Sequence, residues 1–179
     1  AQGLTVTSYR LMDGGRAGEV RLADTPARRI GDLTLLARPT AAAILAVCAD
    51  ALGAMEAAAE LTTDYLKTRK QFGRPIGSFQ ALQHRMADLV TEIEQARSAV
   101  WNLAGHLDDE DRDRHVAATK SLVGKIARRV AEETVQLHGG IGMTEEYELA
   151  SIVRRLLAAD TRFGDSDHHL ERFVALSAA

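Results

Sequence analysis

Arg69-Lys70-Gln71-Phe72-Gly73-Arg74-Pro75-Ile76 divides two long helical patterns, and reading it as a break between them decides the fold. Upstream, an alanine-rich run predicts a helix from about Pro39 to Lys70, with Pro39 in the first turn where a missing N–H costs nothing. Gly73, Pro75 and Gly77 stop that helix. Downstream, Phe79, Leu82, Met86, Leu89, Ile93, Ala96, Val100, Leu103 and Leu107 fall three and four apart, one apolar stripe on a helix over 78–107.

Asp108 to Asp113 reads as a solvated loop. A third helix is expected over 114–138 with Val116, Leu122, Val123, Ile126, Val130 and Val135 inward, then shorter helices over 145–159 and 165–176. Short links between long helices favour antiparallel neighbours, so the fold class is mainly α, an up-and-down bundle. Residues 2–36 read differently. Leu4, Val6 and Ser8 alternate with Thr5, Thr7 and Tyr9, Asp13-Gly14-Gly15 turns the chain, and 18–22 form a second strand. Two strands are marginal alone, so this stretch reads as the trailing edge of a larger sheet. The expected division is 1–36 for those strands and 37–179 for the bundle. The chain is then a fragment, or a partner supplies the other strands.

Composition narrows the function. Apolar residues make up 46% and aromatics 4%, so the core is built of small and aliphatic side chains, which suits close-packed helices. A net charge of −3 argues against a nucleic-acid binder working through a basic face. No apolar run is expected to approach a membrane span, and Ala1-Gln2-Gly3-Leu4 lacks the basic and hydrophobic parts of a signal peptide. The single cysteine, Cys48, excludes an internal disulfide, fits a reducing, cytoplasmic setting, and is expected to be a buried structural thiol.

The candidate site rests on two motifs. A guanidinium at a helix end beside a glycine turn, Arg69, can grip a pyrophosphate with paired hydrogen bonds, and the Gln80 carboxamide opens the next helix within reach of the same dinucleotide. In Gln136-Leu137-His138-Gly139-Gly140-Ile141-Gly142, three glycines remove side chains so that a flat ligand can approach the backbone. Either motif alone is also an ordinary helix stop. The two in order, on helices of these lengths, are much more specific.

From about Gly31 to Phe173 these motifs resemble the C-terminal helical domain of acyl-CoA dehydrogenases. The resemblance implies an FAD-dependent oxidoreductase that desaturates acyl-CoA thioesters at C2–C3 and passes electrons to a transfer protein. It implies oligomers, homo- or heteromeric, formed through the helical domain. By it, Arg69, Gln71, Phe72, Gln80, Gln136, Leu137, His138, Gly139 and Gly140 contact the FAD of a neighbouring subunit. No metal is implied.

The family's other machinery is thinner here. Aligning Leu170-Glu171-Arg172 with the family's I-Q-R puts Asp165 over the catalytic glutamate of Y-E-G-T, with Ser166 and Asp167 after it. Asp165 is one methylene shorter, and it reads first as the N-cap of the last helix. The alternative position for the glutamate falls on Ala43, and the CoA-contacting D-x-x-R falls on Ala41 to Ile44, without acid or arginine. The chain thus resembles the base-lacking subunit of heteromeric bacterial acyl-CoA dehydrogenases, some of which act on sterol side chains. Two alternatives stay open: a nitroalkane-oxidase-type flavoenzyme with Asp165 as base, and a non-catalytic helical oligomerisation module.

Adjacent histidines on a helix point about 100° apart, so His168 and His169 are not expected to chelate one ion. One is expected to face the flavin or an interface and the other solvent. Arg128-Arg129 and Arg154-Arg155 read as surface helix charge, with Arg154 in structural ion pairing. Trp101, off the main stripe, marks a helix–helix or subunit contact.

Overall fold

The long runs separated by breakers fold as five helices: α1 (Ala37–Thr68), α2 (Gln80–Gly105), α3 (Arg112–His138), α4 (Glu148–Thr161) and α5 (Ser166–Ser177). These come from a computed structural model that describes residues 2–178. Each boundary lies within about three residues of its sequence expectation; Gly139 follows α3, and Asp165 caps α5 by its side chain. Helix α3 is central: it packs against α1, α2, α4 and α5. The α2 stripe buries Leu89, Ile93, Ala96, Val100 and Leu103 in one core with Ile44, Met55, Val123, Ile126 and Val130. Much of the core is alanine, so the helices approach closely with few large side chains.

Strands β1 (Leu4–Arg10) and β2 (Arg16–Leu22) form an antiparallel hairpin, with Leu4 opposite Leu22 and Arg10 opposite Arg16. Most of its residues are exposed, including Val6, Tyr9 and Val20. Its turn is tied to the bundle by an ion pair between Asp13 and Arg162, and Asp13 is only 6% exposed there. The expectation of β structure up to residue 36 is corrected. Residues 23–32 are irregular, and Leu33–Leu36 form a 3-10 turn started by Asp32, whose carboxylate accepts the Thr34 backbone N–H at 3.0 Å.

A second departure concerns α1. Leu33–Thr68 is long and apolar enough by length and composition to cross a membrane, although no such segment is expected from the sequence. Alanines of modest individual apolarity add up over a helix this long. Here the helix packs against α2, α3 and α4.

Cys48 lies in the core, fully buried, with its thiol pushed up to about 12 by burial. Trp101 is 72% exposed, which removes a helix–helix contact within this chain as its role. Arg154 pairs with Glu145, Arg155 with Asp50 and Arg129 with Glu92. Arg128 is more than surface charge, because it binds the buried Asp160 carboxylate at 2.7 Å.

Candidate functional site

The Arg69–Ile76 segment is more than a helix stop. Arg69 caps α1 in an extended conformation, its N–H donating to the Tyr65 carbonyl at 2.8 Å. The chain then makes a small hairpin, β3 (Lys70–Gln71) and β4 (Arg74–Pro75), with Gln71 opposite Arg74. The two turn residues, Phe72 and Gly73, have φ of 54° and 79°. Positive φ at both places is the primed turn that fits a two-residue hairpin.

The second motif ends α3 next to it. Gly139 adopts φ 65° and ψ −139°, a region essentially open to glycine alone, and turns α3 into the 3-10 segment Gly139–Met143. A Cβ at Gly140 would meet no atom within 4 Å, so the backbone there is open to an approaching group. Gly142 is different. It is buried, and a Cβ on it would stand 2.9 Å from the Val135 carbonyl oxygen. Its role is packing the segment back on α3, which corrects the reading of all three glycines as a ligand platform.

Together the two chain reversals form an open groove of about 500 Å3, lined by Tyr65, Arg69, Gln71, Ile76, Gln136, Leu137, His138, Gly139, Gly140 and Ile141. Seven of the nine expected ligand residues meet there. Phe72 and Gln80 stand outside the lining, Phe72 at the hairpin tip and Gln80 in the first turn of α2. Tyr65 and Ile141 were missed by the motif reading. Tyr65 was accessible to it, since it lies one helical turn before Arg69 on the same face. The exposed Arg69 guanidinium pairs with no carboxylate among the described residues. The groove therefore offers a free cation, two carboxamides, open backbone and the apolar side chains of Ile76, Leu137 and Ile141.

His138 forms part of the groove wall from inside the bundle. It is 3% exposed, stacked on Tyr65 at 4.5 Å and tilted against Tyr147 at 5.3 Å. Its Nδ1 lies 2.8 Å from the Thr134 carbonyl, so the proton belongs on Nδ1 and Nε2 is a buried acceptor without a partner. Burial holds its pKa below the ordinary histidine value.

Asp165 is the N-cap of α5. Its carboxylate accepts the His168 backbone N–H at 2.8 Å, and that bond holds its pKa below the usual aspartate range. A carboxylate so engaged is a weaker base. Just before it, Phe163 and Gly164 both have positive φ, 60° and 95°. The turn is fixed from within: Lys120, 1% exposed, donates to the carbonyls of Asp160 and Gly164 at 2.7 and 2.8 Å, and His169 Nε2 donates to that of Phe163 at 2.9 Å. His169 thus faces the bundle interior and not a flavin or an interface, while His168 is exposed. Among the described residues no cluster of three or more metal-type ligands occurs.

These two buried imidazoles predict a pH dependence. Burial lowers the pKa of His169 as well as that of His138. In the unfolded chain both titrate near ~6.5. As pH falls below that value the unfolded state takes up protons that the folded state resists, so stability is full above it and declines toward pH ~5. The thermal midpoint is expected to drop from pH 7.5 to 5.5 and to lose most of that drop in a His138→Gln/His169→Gln double variant. An undiminished drop in the double variant would assign it to other groups.

Residues 41–175 match the family model described as "Acyl-CoA dehydrogenase, C-terminal domain", and the chain belongs to the acyl-CoA dehydrogenase family. It is 33% identical to the probable acyl-CoA dehydrogenase YngJ of Bacillus subtilis, over 96% of this chain and 48% of that protein. The fold superposes on the Tcur3481-Tcur3483 steroid ACAD with a TM-score of 0.92 and 31% identity, covering 99% of this chain and 49% of the other. The ChsE4-ChsE5 complex from Mycobacterium tuberculosis gives a TM-score of 0.91 at 27% identity, covering 99% and 50%. The chain thus spans about half the length of the relatives it matches.

Proposed function

We propose that this chain is the C-terminal part, or a subunit, of an FAD-dependent acyl-CoA dehydrogenase, and that its groove holds the FAD of a neighbouring subunit. The observation that carries this is the groove itself, where Arg69, Gln71 and the Gln136–Gly140 segment converge although Gln136 lies 67 positions after Arg69. These residues fit the group. An unpaired guanidinium suits a diphosphate, the carboxamides suit ring and ribose edges, and the Gly139–Gly140 backbone admits a flat ring. Bound FAD supplies the acceptor for a hydride removed from the acyl chain. This chain's residues bind and orient it.

The chain contributes no working base of its own in this reading. Asp165 caps α5, and Ala43 occupies the alternative position. The base, most of the flavin pocket and the strands that continue β1 and β2 belong to the rest of the polypeptide or to a partner. The stretch 1–36, with β1 and β2 and the irregular lead into α1, is then the trailing end of a β-domain, and 37–179 the helical domain. The substrate is an acyl-CoA thioester, the electron acceptor a transfer protein, and the setting cytoplasmic. The likeness to a steroid ACAD and to a two-protein complex supports a heteromeric assembly and a bulky acyl group.

Asp165→Asn tests the missing base. Asparagine caps a helix as well as aspartate, so α5 is retained. Turnover of the assembled enzyme is expected to stay unchanged. If Asp165 were the base, as in the nitroalkane-oxidase-type reading, turnover would fall by roughly 10²–10⁴-fold.

A further inference from the structure

We propose that His169 is an acid-sensitive latch that holds the turn between α4 and α5 and, through Arg162, the β1–β2 hairpin. The ring is 1% exposed and bound on one side only: Nε2 donates to the Phe163 carbonyl at 2.9 Å, while Nδ1 is buried without a partner. A proton taken up at Nδ1 makes a second buried donor with nothing to accept it. The residue that the ring holds is strained. Phe163 sits at φ 60°, an outlying conformation for a bulky side chain, and its own side chain is half exposed, so burial does not secure it there.

Burial opposes an imidazolium at this place before any charge does, and the charges add to it. Lys120 acts from α3, and from α5 act His168, whose ring stands edge-on at 5.2 Å, and Arg172. The carboxylates nearby are engaged with other groups. Asp160 of α4 binds the Ser166 N–H and Arg128, Asp165 binds the His168 N–H, and Asp113 of α3 binds Arg172. The Phe163 carbonyl alone favours the charged ring, and burial outweighs that bond. A protonated ring therefore leaves the interior, and the first turn of α5 moves with it, since His169 belongs to that turn. Phe163 then relaxes from its positive φ. Arg162, the residue before it, carries the ion pair to Asp13 that ties the hairpin to the bundle, and Asp13 in turn accepts the Gly15 N–H at 3.0 Å. The turn opens first and the hairpin follows.

The latch does not depend on the flavin reading. Amide hydrogen exchange of the full chain, followed by NMR and corrected for intrinsic rates, tests it, with Ser166 reporting on the turn and Gly15 on the hairpin. A freed imidazole titrates near ~6.5, so the open population at both sites is expected to rise about tenfold from pH 7.5 to 5.5. Both amides are expected to exchange faster than that of Val130 in the core at each pH. His169→Gln keeps an N–H for the Phe163 carbonyl and takes up no proton, so exchange at both sites becomes independent of pH. His168→Gln, on the exposed neighbour, keeps the response. Arg162→Ala frees Gly15 already at pH 7.5 while Ser166 still responds. Wild-type exchange that ignores pH, exchange at Ser166 and Gly15 no faster than at Val130, a response retained in His169→Gln or lost in His168→Gln, or an unchanged Gly15 in Arg162→Ala would each overturn it. If His169→Gln does not fold, the wild-type titration and the other two variants decide.

Discussion

Asp160→Ala is expected to destabilise the bundle by about 3–5 kcal/mol, the range for breaking a buried ionic contact by removing one partner. Asp160 is 1% exposed and joins three helices. Its Oδ1 accepts the Ser166 N–H at the start of α5, its Oδ2 accepts from Arg128 on α3, and its own carbonyl accepts from Lys120. Alanine would leave the Ser166 N–H without its acceptor and the Arg128 guanidinium without its carboxylate, and it would remove one of the two carboxylates, Asp160 and Asp165, whose charge favours the buried Lys120 ammonium. The space for Asp160 depends on Gly124, since a Cβ there would fall 2.2 Å from Oδ1. Chemical denaturation of the variant checks the magnitude. A loss under about 1 kcal/mol would show that Lys120 is satisfied by its two carbonyls alone.

That network marks where the sequence was hardest to read. Helix limits were legible because breakers and caps are local: Gly73, Pro75 and Gly139 act on their own neighbours. The α2 stripe was legible because a repeat of three and four has one physical interpretation. Lys120 was not, although it stands on the inward face of α3, four residues after Val116 and three before Val123. A charge on an apolar face is normally assigned to a helix edge, and its acceptors lie 40 and 44 residues away. Arg128 was misjudged for the same reason, its buried partner being 32 residues distant. Residues 23–36 lacked both alternation and helical period, and proximity to two strands was a poor guide to them. In the site, the motifs located the groove but not its shape. The primed turn at Phe72-Gly73 was hidden because phenylalanine is an improbable residue for positive φ. Gly142 shared a motif with Gly139 and Gly140, yet its environment is set by the Val135 carbonyl and not by a ligand.

Arg69 carries the largest functional effect expected of one side chain. Its backbone is held at the end of α1 by the hairpin, and its guanidinium is exposed and free of any carboxylate partner among the described residues. A charge-assisted contact of this kind contributes about 1.5–3 kcal/mol. Its removal leaves the fold intact, because no hydrogen bond of the bundle depends on the side chain, whereas Lys120 and Arg128 serve internal acceptors. The most direct test of the account is FAD retention by the assembled enzyme carrying Arg69→Ala, read by flavin fluorescence titration beside the thermal midpoint. The account predicts flavin affinity weakened ~10- to 100-fold with the midpoint unchanged; flavin affinity equal to the wild type would contradict it.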